Sequence, residues 1–225
     1  MLYRALWVAL LALAIVSGAL AAGDATVCTD ENSGASTSAT AREAVADSPF
    51  TRPEATVPAN KRTSAGLYAT ASDAYEMVSE DPAKVLFIDV RTRGELHFIG
   101  MPTLADAHVP FLVETIPPQW DDAASTFKLV PNPDFLATVD QRLAQKGLTK
   151  EATVIVICQG GLRAARAANA LTQAGYTKVY TTIDGFEGDP VAEGPHKGER
   201  TVNGWRNAGL PWTAKLDRAK MDRVN

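Results

Sequence analysis

Cys158 is followed at once by Gln159, Gly160, Gly161, Leu162 and Arg163. A thiol in such a setting is a candidate nucleophile, because the thiolate is the reactive form and nearby cations and dipoles favour it. Gly160 and Gly161 let the backbone curl so that successive N–H groups converge on one point. Arg163 adds a permanent cation. Arg166 stands one helical turn further on, where anion recruitment and plain helix solubility are both open. An inert buried thiol would not need two glycines and an arginine after it. A structural disulfide to Cys28, the only other cysteine, would tie the loop to a segment with no core of its own. A transient Cys28–Cys158 bond, as a redox switch, is the alternative. Two cysteines and three histidines (His97, His108 and His196) have no ligand-like spacing, so no metal centre is expected.

The thiol needs a scaffold, and the flanking sequence supplies one. Thr153-Val154-Ile155-Val156-Ile157 is the strongest strand signal in the chain and runs directly into Cys158. An alanine-rich helix follows up to Ala174, with Gly175 ending it. Cys158 therefore stands at the carboxyl end of a strand and faces a helix N-terminus, whose unpaired N–H groups and dipole attract an anion. Val85-Leu86-Phe87-Ile88 reads as a second strand buried on both faces, ending at Asp89-Val90-Arg91. Asp89 and Arg91 are expected to order that strand end, with Glu95 as a partner, in a supporting role. Ser72 or Asp73 can cap a helix that ends near Glu80, and Thr92 to Ile99 reads as a short helix. Ala107 to Pro110 reads as a short extended piece. Pro133 opens an amphipathic helix with Phe135, Leu136, Val139 and Leu143 on one side, and Gly147 closes it. Val179-Tyr180-Thr181 is another strand. Strands alternating with helices predict an α/β domain with a largely parallel central sheet flanked by helices.

The rest of the chain bounds where and on what this domain acts. Residues 1–22 carry Arg4, a continuous apolar run and small residues at the end, the pattern of a secretory signal. The same segment, about 18 uncharged residues from Ala5, is long enough to serve as an uncleaved membrane anchor. Export to the periplasm is expected, with anchoring in the inner membrane as the alternative. Residues 23–66 are rich in Ala, Ser and Thr and read as a flexible linker that includes Cys28. The folded domain is expected over residues 67–216, with a tail at 217–225. Net charge is −4, and −5 once Arg4 is removed with the signal. Such a chain has no basic surplus for nucleic acid. Its 46% hydrophobic content excludes a wholly disordered protein.

The loop Cys158-Gln159-Gly160-Gly161-Leu162-Arg163 resembles the active-site loop of rhodanese-type sulfurtransferases, of the form Cys-x-x-Gly-x-Arg. Asp89-Val90-Arg91 with Glu95, Ala107-His108-Val109-Pro110, Gly175 to Tyr180 with Asp184-Gly185-Phe186, and Gly209-Leu210-Pro211-Trp212 resemble further markers of that family, in the same order. The resemblance covers residues 67–212. It implies that Cys158 takes a sulfane sulfur from thiosulfate or a similar small anionic donor as a persulfide. The sulfur then passes to cyanide, a thiol or a periplasmic protein acceptor. It also implies that the amides of Gln159 to Arg163 cradle the sulfur, that Arg163 steadies loop and donor, and that no cofactor is needed. His108 is expected to be mostly structural, and Trp120, Trp205 and Trp212 to be packing residues. Two departures stand out. Residues 106–133 exceed compact relatives and are expected to form a flap beside the site. The stretch from Glu187 to Trp205 is also long, with turns at Gly188-Asp189 and Gly194-Pro195-His196 that could approach the loop. Related phosphatases and arsenate reductases resemble Cys-x5-Arg, one loop residue longer than the arrangement here. A sulfur carrier without free turnover is the other alternative.

Overall fold

A computed structural model describes residues 49–222. The central sheet is five-stranded and parallel throughout. Its strands are β1 (Tyr68–Ala69), β2 (Val85–Asp89), β4 (Ala107–His108), β9 (Thr153–Ile157) and β10 (Lys178–Thr182), in the order β1-β10-β9-β2-β4. Between them lie the short strands β3 (Met101–Pro102), β5 (Leu112–Glu114), β6 (Trp120–Asp121), β7 (Thr126–Phe127) and β8 (Leu129–Pro131), and β11 (Trp212–Thr213) pairs with β3 near the end. The helices are α1 (Ala71–Glu80), α2 (Arg93–Ile99), α3 (Phe135–Gln145) and α4 (Leu162–Gln173). The expected α/β class and parallel sheet are present. The apolar runs that predicted β2 and β9 are buried on both faces, which a parallel sheet covered by helices requires.

Side chains alternate across a strand, so each face can be read from parity. Val154, Val156 and Cys158 join Leu86, Ile88 and Val90 in one core cluster, under Phe135, Val139 and Leu143 of α3 and the alanines of α4. Ile155, Ile157 and Phe87 belong to the opposite cluster, under α1, Leu96 of α2 and Trp205. The run of small residues on α4 lets that helix lie close to the sheet. Ala164, Ala167 and Ala168 are all fully buried.

Several boundaries differ from the sequence reading. The first helix is capped by Thr70, not by Ser72 or Asp73. Thr70 Oγ1 accepts from the Asp73 N–H while the Asp73 carboxylate takes the Thr70 N–H, so Asp73 is the third residue of a capping box. A second box joins Thr92 and Glu95 at the start of α2. α3 begins two residues after Pro133, with Asp134 at its cap position. Gly147 takes the left-handed conformation expected of it.

The linker expected to reach residue 66 stops short of that. Residues 49–66 lie against the domain, with two short 3-10 turns at Glu54–Thr56 and Ala59–Lys61 and with Val57, Lys61 and Thr63 buried. Arg52 pairs with Asp73, and Ser64 N–H donates to Asn169 Oδ1 of α4 at 2.9 Å. Residues 217–222, expected as a tail, are also docked. Arg142 of α3 donates to the carbonyls of Ala219 and Met221 at 2.8 and 2.7 Å, and Asp222 is buried. Residues 1–48, with the expected signal segment, most of the expected linker and Cys28, lie outside the described residues. Among the described residues no helix is long and apolar enough to cross a membrane.

The excess at residues 106–133 is a two-part antiparallel arm. β5 pairs with β8, and beyond them β6 pairs with β7. It leaves the sheet after β4, at the same carboxyl end as Cys158 but two strands away. Trp120, expected as a packing residue, is instead half exposed on the arm and meets the Phe127 ring edge-on at 5.6 Å. Trp205 is fully buried as expected, with its indole N–H on the Pro211 carbonyl.

Candidate active site

Cys158 leaves β9 on the α4 side of the sheet, and the chain turns within three residues into the helix. Gly161 makes that turn possible. Its φ is 94°, open to glycine, and any Cβ there would overlap the carbonyl of Ile183. The turn aims the Gly161 N–H at Cys158 Sγ, 3.2 Å away. Of the five amides expected to cradle the sulfur, from Gln159 to Arg163, this is the one in hydrogen-bond contact with Sγ among the described residues. The carbonyls of Cys158 and Gln159 point the other way, accepting from the N–H groups of Phe186 (2.8 Å), Glu187 (2.9 Å) and Gly188 (3.3 Å). Each peptide is planar and trans, so the N–H groups of Gln159 and Gly160 face away from that wall. Leu162 opens α4 with its side chain partly exposed, and Gln159 is half-buried. The thiol is free, and Cys158 is only 1% exposed. Its sulfur is nearly out of water yet accepts the Gly161 N–H, so its surroundings are not hydrocarbon alone.

Arg163 is not open to an anion in the way the sequence suggested. It grips Glu95 of α2 with both terminal nitrogens, Nη1 donating to Oε2 at 2.6 Å and Nη2 to Oε1. Burial alone would lower the guanidinium's pKa. The Glu95 hydrogen bond and charge, with smaller contributions from Cys158 and Asp89, more than offset that and hold it above its ordinary value. Burial likewise pushes the Glu95 carboxyl up, but Arg163 and the Thr92 donors outweigh it and hold the group below its ordinary value of 4.5. This ion pair joins α2 to the first turn of α4 and so steadies the loop from outside.

Its pH signature follows from the sign of the shift. A carboxyl depressed in the folded state adds stability above its unfolded value, and that stability is lost as pH falls through the folded value. Glu95→Gln should therefore lose about 2 kcal/mol at pH 7. The gap from wild type should shrink as pH drops below 4.5 and Glu95 itself becomes neutral. Urea melts across that range measure the gap; a gap that stays constant with pH would contradict the assignment.

Asp89 and Arg91 do not reach the thiol. Asp89 lies on the face opposite Cys158, as does the Phe186 ring over which the Arg91 guanidinium stacks at 4.0 Å. Both residues are fully buried. Arg91 Nη2 donates to Asp89 Oδ2 at 2.6 Å and to the Gly100 carbonyl at 2.7 Å, and Nε bridges both Asp89 oxygens. The partner of Glu95 is Arg163, so the expected Glu95 link to Asp89 and Arg91 is absent. His108 packs beside Asp89 and contacts the Arg91 carbonyl through Nε2 at 2.7 Å. A carbonyl can only accept, so Nε2 carries the proton. Burial lowers the imidazole's pKa and keeps it neutral. Arg166 is exposed on α4.

Two side chains that spacing could not reveal stand against the loop. Lys61, from the segment before β1, lays its stem beside Gly161 and donates Nζ to the Ile183 carbonyl at 2.8 Å and to Asp189 Oδ1 at 2.6 Å. Arg200 donates Nη1 to the Gly188 carbonyl, next to Gly160. The turn at Gly188-Asp189 thus approaches the loop as expected. The turn at Gly194 closes on itself, with Lys197 N–H on the Gly194 carbonyl at 3.1 Å and Gly198 N–H on the Val191 carbonyl at 2.9 Å.

The comparison that decides the family is a match of residues 70–188 to the rhodanese-like domain model. The chain belongs to the rhodanese-like domain family. The matched span runs from the α1 cap to the wall that receives the Cys158 and Gln159 carbonyls, so it contains the whole loop. An uncharacterized protein of Rickettsia conorii is 30% identical over 144 residues, 63% of this chain and 93% of that one. An uncharacterized protein encoded in the dnaA 5′ region of Rickettsia montanensis matches to the same extent. The crystal structure of Rv0390 from M. tuberculosis is 31% identical and superposes with a TM-score of 0.50, over 66% of this chain and 97% of that one. The rhodanese-like family is of sulfurtransferase type, and in this chain the domain carries the arm at 106–133 and the docked flanks at 49–66 and 217–222.

Proposed function

We propose that the protein is an exported sulfurtransferase that moves a sulfane sulfur from thiosulfate or a similar small donor to a thiophilic acceptor through a Cys158 persulfide. The observation that carries this reading is the Gly161 N–H aimed at Sγ at 3.2 Å, in a loop that turns straight into the positive end of α4. The first N–H groups of a helix have no partner within it, so they favour the negative charge of a thiolate and of a terminal persulfide sulfur. Splitting the transfer into two displacements at one sulfur is nucleophilic catalysis, and no cofactor is called for. The acceptor is cyanide, a low-molecular-weight thiol or a protein thiol of the periplasm. The secretory pattern of residues 1–22 supports that compartment.

Intact-protein mass spectrometry after thiosulfate treatment tests the reading. The expected result is a gain of one sulfur atom, mapped to the Cys158 peptide and removed by cyanide with formation of thiocyanate. No gain at Cys158 would overturn it. A gain that neither cyanide nor thiols discharge would replace turnover with a carrier role.

A further inference from the structure

Gly160 and Gly161 look alike in the sequence but are glycines for different reasons. Gly161 has the left-handed φ, whereas Gly160 is not among the residues with positive φ. Gly160 needs space. A Cβ there would lie 2.9 Å from Arg200 Nη1 and 3.1 Å from the Gly188 carbonyl oxygen. The missing side chain leaves room for a guanidinium against the thiol loop.

The charges around the loop are otherwise spent. Arg163 is neutralised by Glu95, and Lys61 by Asp189 and the Ile183 carbonyl. Arg166 is a full turn along α4 and solvated. Arg200 is half-buried, donates to a carbonyl, and has no carboxylate within ion-pair distance among the described residues. A guanidinium carries five N–H donors in a planar fork suited to oxyanions. Its base is fixed. Asn207 Nδ2 holds the carbonyls of Arg200, Asn203 and Glu187, while Asn203 clasps Asp189 through both its amide oxygen and its amide nitrogen.

We propose that Arg200, and not Arg163, receives the anionic head of the sulfur donor, thiosulfate or a similar anion. The inference rests on the sulfur-transfer reading of Cys158. In the step it serves, the Cys158 thiolate attacks the outer sulfur and the new S–S bond forms. The bond from that sulfur to the sulfonate sulfur breaks, and its electron pair leaves as sulfite. Charge balances, and no external oxidant or reductant enters. Arg200 holds the sulfonate oxygens before and during the break. Recognition is thereby assigned to the 187–207 segment, not to the thiol loop.

The test compares an anionic and a neutral reagent on full-length wild type, Arg200→Gln and Arg200→Lys. The KM for thiosulfate should rise about tenfold in R200Q, the worth of a charge-assisted hydrogen bond, and fall back most of the way in R200K. Alkylation of Cys158 by iodoacetate should slow in R200Q while alkylation by uncharged iodoacetamide stays at the wild-type rate, which also shows that the loop is intact. If R200Q keeps the wild-type KM, or slows both alkylations equally, Arg200 is not the anion's partner and the sulfur-transfer reading stands without it. If wild type itself gains no sulfur from thiosulfate, the sulfur-transfer reading fails and this inference falls with it.

Discussion

Cys158→Ser is expected to abolish sulfur transfer while the fold survives. A serine hydroxyl at neutral pH is a far weaker nucleophile than a thiolate, and it cannot hold a sulfane sulfur in a bond that a thiol or cyanide readily reopens. The loss should be at least about a thousandfold, down to background, as for removal of other enzymic nucleophiles. Stability should change little. The replacement is nearly isosteric, and the Gly161 N–H that now points at Sγ can donate to a hydroxyl oxygen instead. The expected cost is about 1 kcal/mol, because the apolar core cluster that contains Cys158 gains a hydroxyl. Thiocyanate formation, circular dichroism and a thermal melt together make the measurement. The full-length Cys28→Ser variant is the control and should keep wild-type turnover. Transfer that persists in the Cys158 variant would place the reaction elsewhere.

The largest stability effect should come from Asp89→Ala. It leaves Arg91 fully buried with its charge uncompensated, a change that costs about 3–5 kcal/mol in comparable buried pairs. Against a typical total of about 5–15 kcal/mol, much of the fold's margin disappears. The chemistry should be spared, because Asp89 lies on the sheet face opposite Cys158. Transfer per folded molecule, measured below the melting temperature, should stay near wild type even as the denaturation midpoint collapses. The double variant Asp89→Ala/Arg91→Met should recover most of the loss, since an apolar replacement removes the stranded charge with its partner. A fall in turnover of the folded fraction would show that the pair also shapes the loop.

How much of this was legible beforehand follows the range of each interaction. β2, β9 and α3 are long, strongly patterned and local, and periodicity found them. The strand, the glycine turn and the helix around Cys158 are contiguous, so the placement of the thiol could be read directly. β1 has only two residues and owes its existence to pairing with β10, a contact across more than a hundred positions. Residues 49–66 lack a patterned apolar face. They are held by single anchors, such as Val57 and the stem of Lys61, that composition does not register. The Glu95–Arg163 bond crosses 68 positions, and its residue types are each common. The short helix from Thr92 was legible, but neither its capping box nor the second duty of the Glu95 carboxylate was. The two loop glycines carried a partial clue. They were legible as a backbone curl, whereas the close approach of Arg200 to Gly160 is a contact across 40 positions that no local pattern marks.

The depth of Cys158, with 1% of the residue exposed, has a consequence for storage. A sulfur parked on that atom would travel in a closed berth, reached by slim reagents and denied to bulky ones. Loaded protein should thus outlast exposed persulfides in the presence of large scavenging thiols, yet empty promptly to a small nucleophile. The same seclusion sets the terms for any macromolecular recipient. It must bring its accepting thiol on a slender loop or terminus, because a flat surface could not touch the cargo.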